Sequence, residues 1–449
     1  MKNKKSIILI SFLFVGLILA ACSGGEDVNS KESEESGGGK ETTLHVAALE
    51  SAYGTEMWDQ IAESYEAANK NINIELTIEK NLEEVIRPNM QAGEYPDVLL
   101  LATNRPEALT ETLIKENGLE NISDVLNMNI PTEKVTVNKK LLDGFTDTLA
   151  TNPYANGETY LAPMFYSPTG LFFNAGLFEE KGWKVPETWD EMWELGEKAK
   201  KEGISLFTYP TTGYFDTLVG SMLYAAGGPE FYNAAMTYED GIWETEEASQ
   251  VLQTIEKLAE YTHSDTVANA NPNDFTKNQQ FILDNKALFM PNGNWVVDEM
   301  KEAPRSKNFQ WGMTSIPAFE KSGDRYAFTF FEQIWIPAAA KHKDEAKEFI
   351  TYMYSDEAAS IFLDAGAVQP INGITKKLEG QKQTFYSIYE EEGALPAMGT
   401  FASTEPVPGA SMGDTLYGTI DSVMSGETSF EEWQAEMEEV SDKLRPAMN

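Results

Sequence analysis

One cysteine, Cys22, and three histidines, His45, His263 and His342, are all that 449 residues offer of the side chains most used for zinc binding and nucleophilic chemistry. A single thiol cannot close an internal disulfide, so an exported protein of this kind must rely on its hydrophobic core. The histidines are scattered without ligand spacing, which argues against a zinc site. Basic side chains are also scarce, 34 against 72 acidic ones, for a net charge of −38. Such a surface repels nucleic acid and anionic membrane and favours solubility, cations or neutral ligands. No nucleophile elbow, phosphate loop or dinucleotide fingerprint is present. No internal repeat with a period of roughly 20–50 residues is visible either. The stretch "NANPNDFTKNQQ" (269–280) is rich in oxygen ligands but lacks the calcium-loop pattern and its glycine. Neither a metal site nor a cofactor is therefore expected.

The position of the lone thiol carries information. Lys2, Lys4 and Lys5 precede the uncharged run "SIILISFLFVGLILAA" (6–21), which ends in small residues immediately before Cys22. A basic start, a short apolar run and small residues at its end describe a secretory signal over 1–21. As a permanent span it is short, since about 20 apolar residues are needed. The sequence Leu-Ala-Ala-Cys resembles the bacterial lipobox, which implies cleavage before Cys22 and attachment of a diacylglycerol to its sulfur. The following residues through position 42, "SGGEDVNSKESEESGGGKET", cannot bury enough apolar surface to fold. They read as a flexible tether averaging roughly 25 Å end to end.

The remaining body, from about residue 43 to 449, is long enough for two domains, and its 42% hydrophobic content suits a globular core. "TLHVAAL" (43–49), "INIELTIE" (72–79) and "DVLLLA" (97–102) read as strands. Between the first two, "TEMWDQIAESYEAANK" sets Met57, Ile61, Ser64, Tyr65 and Ala68 on one helical face. This is the grammar of a mostly parallel α/β sheet, in which ligands sit beyond the carboxyl ends of the strands. "YLAPMFYSPTGLFFN" (160–174) is extended and too long for an average strand. A helix follows, with Thr188 as N-cap, Glu191 closing a capping box, an apolar stripe of Trp189, Met192 and Leu195, and a stop at Gly203. Further strands are expected over 204–210, 309–317 and 332–338, a strand, turn and helix in succession over 286–300, and helices over 343–355 and 428–444. In the last, Ser429 and Glu432 form a capping box, and Phe430, Trp433, Met437, Val440 and Leu444 line one side.

Aromatic residues are the loudest feature: 9 Trp, 18 Tyr and 23 Phe, several in polar turns. "SAYGTEMW", "TTGYFDT", "NGNW" and "FFEQIW" each place rings beside Asn, Asp, Glu or Gly. A sugar offers apolar C–H faces for stacking and hydroxyl edges for hydrogen bonding, so rings next to carboxylates and amides suit it. Core packing is the competing reading of each ring taken singly.

The order of these pieces resembles the family 1 extracellular solute-binding proteins of carbohydrate ABC importers, the type to which maltose-binding protein belongs. The resemblance rests on "YLAPMFYSPTGLFFNAGLFEEKGWKVPETWDEM" (160–192), "KALFMPNGNWVVDEM" (286–300), "WGMTSIPAF" (311–319), "IWIPAAAKHKDEAKEFITYMYSDE" (334–357) and "DAGAVQPING" (364–373). It implies an α/β, two-lobed periplasmic-binding-protein-like fold of type II, with hinge strands and a ligand cleft between the lobes. Lobe one is expected over 43–166 plus 287–342 and lobe two over 171–284 plus 350–449, with crossings near 165–171, 284–288 and 340–350. The resemblance implies that Trp295 stacks on sugar, that Tyr214 supplies a ring from the second lobe, and that Asp414 contributes from the C-terminal helical segment. Tyr53, Asn104, Arg105, Tyr166, Glu332 and Gln369 follow by loop position. The implied protein is a monomeric, lipid-anchored binder on the extracellular face of the membrane. It captures a sugar or oligosaccharide, hands it to permease subunits, and is not an enzyme. A surface glycosidase and a binder of another solute, such as a polyamine, stay open as alternatives.

Overall fold

Alternation in "TTLHVAAL" sets Leu44, Val46 and Ala48 on one face, and these residues form strand β1 (Thr42–Leu49). In this computed structural model, which describes residues 41–448 other than 104 and 147, β1 pairs in parallel with β2 (Ile72–Glu79) and β3 (Val98–Leu100). The helix between β1 and β2, Glu56–Ala68, buries Met57, Trp58, Ile61, Ala62 and Tyr65. Ala68, expected on that face, is exposed because the helix ends there and the chain turns toward β2. Buried Asp97 ties this corner to distant chain by accepting backbone N–H bonds from His45, Lys341 and His342 at 3.0–3.1 Å.

The 160–174 stretch is a single strand, β4 (Ala162–Asn174), and almost all of it is buried. The later strands are β5 (Ser205–Phe207), β6 (Ala287–Gly293), β7 (Trp311–Thr314), β8 (Tyr326–Trp335) and β9 (Leu395–Ala397). Their order is β2-β1-β3-β8-β4-β6-β5, with β7 on β4 and β9 on β8. β4 pairs antiparallel with β8 through 162–168 and with β6 and β7 through 169–174. β8 starts at Tyr326, six residues earlier than expected at 332, because "YAFT" is buried and shows no polar alternation to mark a strand. The Trp335 indole N–H, fully buried, donates to the Leu101 carbonyl and locks β8 beside β3.

Both expected N-caps form, but only one of the two expected capping boxes does. Thr188 caps Trp189–Lys201, although Glu191 bonds the Glu187 N–H, one residue before the cap. Ser429 and Glu432 make a reciprocal capping box on Phe430–Leu444. Helix Phe215–Met236 had no amphipathic signature, being apolar around its first turns, and it lies against β8. A side chain at Gly220 would come within 2.8 Å of the Phe328 ring, so glycine permits that approach.

Two large cores divide the body. One joins β1, β3 and the first half of β4 to Ile334, Ile336 and residues 346–378. The other joins Leu171 and Phe173 of β4 to helix Phe215–Met236, Tyr326, Phe328 and residues 412–444. Residues 350–364, expected with 171–284, pack with 44–166: helix Asp356–Asp364 lies on Glu56–Ala68, where Phe362 meets Trp58. Leu288, Phe289 and Ile316, expected with the first part, pack in the second core. Sequence order alone does not say on which side of a shared strand a segment returns.

Candidate functional site

The site is built where β6 runs out. Asn292 and Gly293 end the strand, Asn294 and Trp295 turn the chain, and the short helix Val296–Glu299 follows. The half-buried Trp295 indole folds back over Gly293, where an added Cβ would lie 2.1 Å from the ring. The glycine in "NGNW" is therefore a requirement of the ring's position. The Trp295 ring centroid is 6.5 Å from that of Tyr214 and 6.0 Å from that of Phe330, tilted by 46° and 42°. Tyr214 ends the turn Thr212–Tyr214 at the start of helix Phe215–Met236 and is half-buried. Phe330 is on β8 and is 42% exposed, one of three large apolar side chains left open among the described residues. Three rings thus adjoin at an accessible surface.

Polar groups flank these rings. The Asn294 amide donates to the Tyr386 hydroxyl at 3.1 Å, and that hydroxyl donates to the Tyr166 carbonyl at 3.2 Å. Tyr53, on the loop after β1, stands edge-on to Phe165 at 5.6 Å. Burial, reinforced by nearby Glu332 and opposed by the Ser167 hydroxyl, pushes the Tyr53 phenol up to about 12. Glu332 is half-buried on β8, and burial raises its carboxyl to about 7 against a smaller opposing pull from Arg105. The Arg105 guanidinium is itself 2.8 Å from buried Glu83. Asp216, half-buried beside Tyr214, is raised to about 6 by burial while the Thr217 N–H, 2.6 Å away, opposes the rise. The chemistry offered is apolar faces for stacking, with carboxyls and amides at their edges.

Of the residues expected from sequence, Trp295 and Tyr214 adjoin one another, and Tyr53, Glu332 and Arg105 form a second neighbouring group. Asp414 is exposed on helix Met412–Gly418, whose Ser411 cap accepts the Asp414 N–H at 3.3 Å. That helix packs on the Thr212–Tyr214 turn. Tyr166 and Gln369, also expected at the site, are each only 1% exposed. The Tyr166 ring packs against Phe145, Tyr386 and Tyr389, with its hydroxyl unpartnered. The Gln369 amide donates to the Met353 carbonyl at 2.8 Å and fixes a loop to a helix. Both are core residues in this conformation. Asn104 and Cys22 lie outside the described residues.

Phe330, Asn294, Tyr386, Ser167 and Asp216 were not nominated from sequence. Three of them stand inside segments singled out for their aromatics, "FFEQIW", "NGNW" and "TTGYFDT". The cluster signal found the neighbourhood, and the neighbours of its rings complete it.

Two other features are less suited to a ligand. An open depression of about 750 Å³ is lined by Asp265, Asn269, Lys277, Phe281, Lys286 and Glu299, among others, but by none of the three adjoining rings. Its one ring, Phe281, is already stacked on His263 at 3.9 Å. Asp240, Glu438 and Asp442 converge, but Arg445 pairs with all three, and Glu438 also accepts the Gly241 and Trp243 N–H groups. They form an ion-pair cluster that holds the C-terminal helix.

Comparison with known proteins gives a consistent picture. Residues 60–373 match the family described as bacterial extracellular solute-binding protein. The diacetylchitobiose binding protein NgcE of Streptomyces coelicolor is 26% identical over 81% of this chain and 76% of its own length. The multiple sugar-binding protein of Streptococcus mutans is 22% identical over 83% of this chain and 84% of its own. The structure of apo RafE from Streptococcus pneumoniae superposes with a TM-score of 0.65 at 21% identity, covering 92% of this chain and 99% of that one.

Proposed function

Because the chain belongs to the bacterial extracellular solute-binding protein family, we propose that it captures a sugar or oligosaccharide for an ABC importer. The carrying observation is the adjoining set of Tyr214, Trp295 and Phe330, with Asp216, Glu332 and Tyr53 beside it. The names of its relatives point the same way, since they bind diacetylchitobiose, multiple sugars and maltotriose. Family members are binding proteins, and this chain is read as a binder without a catalytic step.

The two cores are the two lobes in this reading. Lobe one comprises 42–166 and 334–378, and lobe two comprises 171–328 and 395–444. The chain crosses between them within β4, within β8, and near 386–397. Tyr53 and Arg105 belong to the first lobe, Tyr214, Asp216 and Trp295 to the second, and Ser167, Phe330 and Glu332 to the crossing strands. A sugar touching both lobes gains contacts only when they close, so binding favours closure, and permease subunits read the closed shape. Cys22 carries the lipid, and the tether to residue 42 lets the body move beside its transporter. Among the described residues no helix is long and apolar enough to cross a membrane.

A thermal-shift panel of diacetylchitobiose, maltotriose and raffinose against spermidine tests the reading. A ligand that binds only the folded state raises the melting temperature, by about 2.7 kcal/mol of added stability at a hundredfold excess over Kd. A rise with at least one sugar and none with spermidine is expected. A rise with spermidine alone would replace the sugar by a polyamine, which the surplus of carboxylates accommodates. Release of free monosaccharide would identify a hydrolase.

A further inference from the structure

Glu332 stands out among the carboxylates of the cleft by its placement. In the β4–β8 ladder Glu332 faces Phe165 and Phe330 faces Ser167. Directly opposed residues share a face, and so do residues two apart on one strand. Glu332 and Phe330 therefore point to the same side of β8, about 7 Å apart along it. A pyranose lying on the Phe330 and Trp295 rings would bring its hydroxyl edge within reach of the Glu332 carboxyl. Among the described residues, no side chain or backbone N–H donates a hydrogen bond to either Glu332 oxygen. Its charged and titratable neighbours are few. Arg105 approaches from the loop after β3 but is engaged by Glu83, and Tyr53 approaches from the loop after β1 with its own hydroxyl against Ser167. From β4 come only Phe165 and Ser167. A half-buried acceptor with no donor among the described residues is expensive to ionise and is open to a ligand's hydroxyls.

We propose that Glu332 is a hydroxyl-accepting carboxylate of the cleft and that capture of sugar at this residue expels a proton to solvent. This deepens the sugar-binding reading and rests on it. In the empty cleft burial holds the carboxyl partly protonated near neutral pH, at about 7. Sugar hydroxyls donating to it favour the ionised form, so the O–H bond of the acid breaks and its proton passes to the buffer. Affinity consequently rises with pH up to about one unit above neutrality and falls below it. Capture would be weakened wherever the medium turns acid.

The test is calorimetric titration of the full mature chain with diacetylchitobiose, maltotriose and raffinose at pH 6 and pH 8 in phosphate, and at pH 7 in both phosphate and Tris. For any sugar that binds, wild type should bind about tenfold tighter at pH 8 than at pH 6, by proton linkage to a group titrating near 7. At pH 7 the apparent enthalpy should differ between the two buffers because protons are released. Glu332→Gln should lose both the pH slope and the buffer dependence. Asp216→Asn should keep most of the slope, since Asp216 titrates nearer 6 and contributes only about twofold over this range. Sugar binding with equal affinity at both pH values, or a Glu332→Gln variant that keeps the wild-type slope, would overturn the proposal while leaving the sugar reading intact. Failure of all three sugars to bind would remove that reading and the proposal with it.

Discussion

Replacing Trp295 by alanine removes the central one of three adjoining rings, and the structure sets the size of the effect. An indole can bury about 150–250 Å², and a sugar lying on one face covers about a third of that, or ~50–80 Å². At ~25 cal/mol per Å² the lost contact is worth about 1–2 kcal/mol, or roughly a 5- to 30-fold rise in Kd. The fold should tolerate the change. Trp295 is half-buried, and the rings beside it, Tyr214 and Phe330, are themselves half-buried and exposed. Removing the indole therefore opens surface instead of creating a closed cavity, and should cost under ~1 kcal/mol. Calorimetry gives the Kd and a thermal melt without ligand gives the stability. Trp295→Phe should recover part of the affinity, because a smaller ring still offers a face. An unchanged Kd in a folded Trp295→Ala variant would remove the residue from the site. Loss of binding together with a fall of ten degrees or more in the apo melting temperature would make Trp295 a structural residue and refute the stacking argument.

Two further substitutions test the core side of the picture. Tyr166→Phe deletes a buried hydroxyl with no hydrogen-bond partner. Stability to urea should stay equal or rise by up to ~1 kcal/mol, with sugar affinity unchanged; a loss of affinity would return Tyr166 to the site. Asp97→Ala leaves three backbone N–H groups without their acceptor at a buried corner. It should cost about 3 kcal/mol in the same denaturant assay, and a cost under 1 kcal/mol would mean that water or a shifted loop satisfies those groups.

Much of the architecture is readable from local patterns, because apolar period and capping chemistry are local. The strands Thr42–Leu49 and Ile72–Glu79, the capped helices Trp189–Lys201 and Phe430–Leu444, and the turn that presents Trp295 all follow from neighbouring residues. Register and return path are not local. Tyr166 pairs with Phe331, and both turn toward the first core, whereas Ser167 and Phe330, one position along, face the opposite side. A shift of one residue exchanges the two sets, so the sequence around 160–174 and 326–335 could not say which tyrosine or phenylalanine is open. Gln369 illustrates the same difficulty. A glutamine in a loop reads as a polar contact, yet its amide is bound to the Met353 carbonyl. The helical segment Phe215–Met236, kinked at Gly228, escaped notice for a different reason, since its first part is buried on nearly all sides and has little amphipathic contrast.

The division of contacts between the two proposed lobes limits how closure can be driven. Moving a two-state equilibrium from 1:99 to 99:1 requires about 5.5 kcal/mol of preferential binding to the favoured state. Lobe two would contribute Tyr214 and Trp295, and at about 1–2 kcal/mol per ring these supply only about 2–4 kcal/mol. Hydrogen bonds to a charged partner add about 1.5–3 kcal/mol each, and Asp216, at the head of the helix that follows Tyr214, is the lobe-two carboxylate placed to accept one. Stacking alone would then bind sugar without closing the protein fully, and the carboxylate contact would complete the shift. Binding and closure are separable on this argument. An Asp216→Asn variant should still quench or shift Trp295 fluorescence with sugar while its scattering profile stays nearer the open form than that of wild type. Equal compaction of both proteins at saturating sugar would place the closing energy in the rings after all.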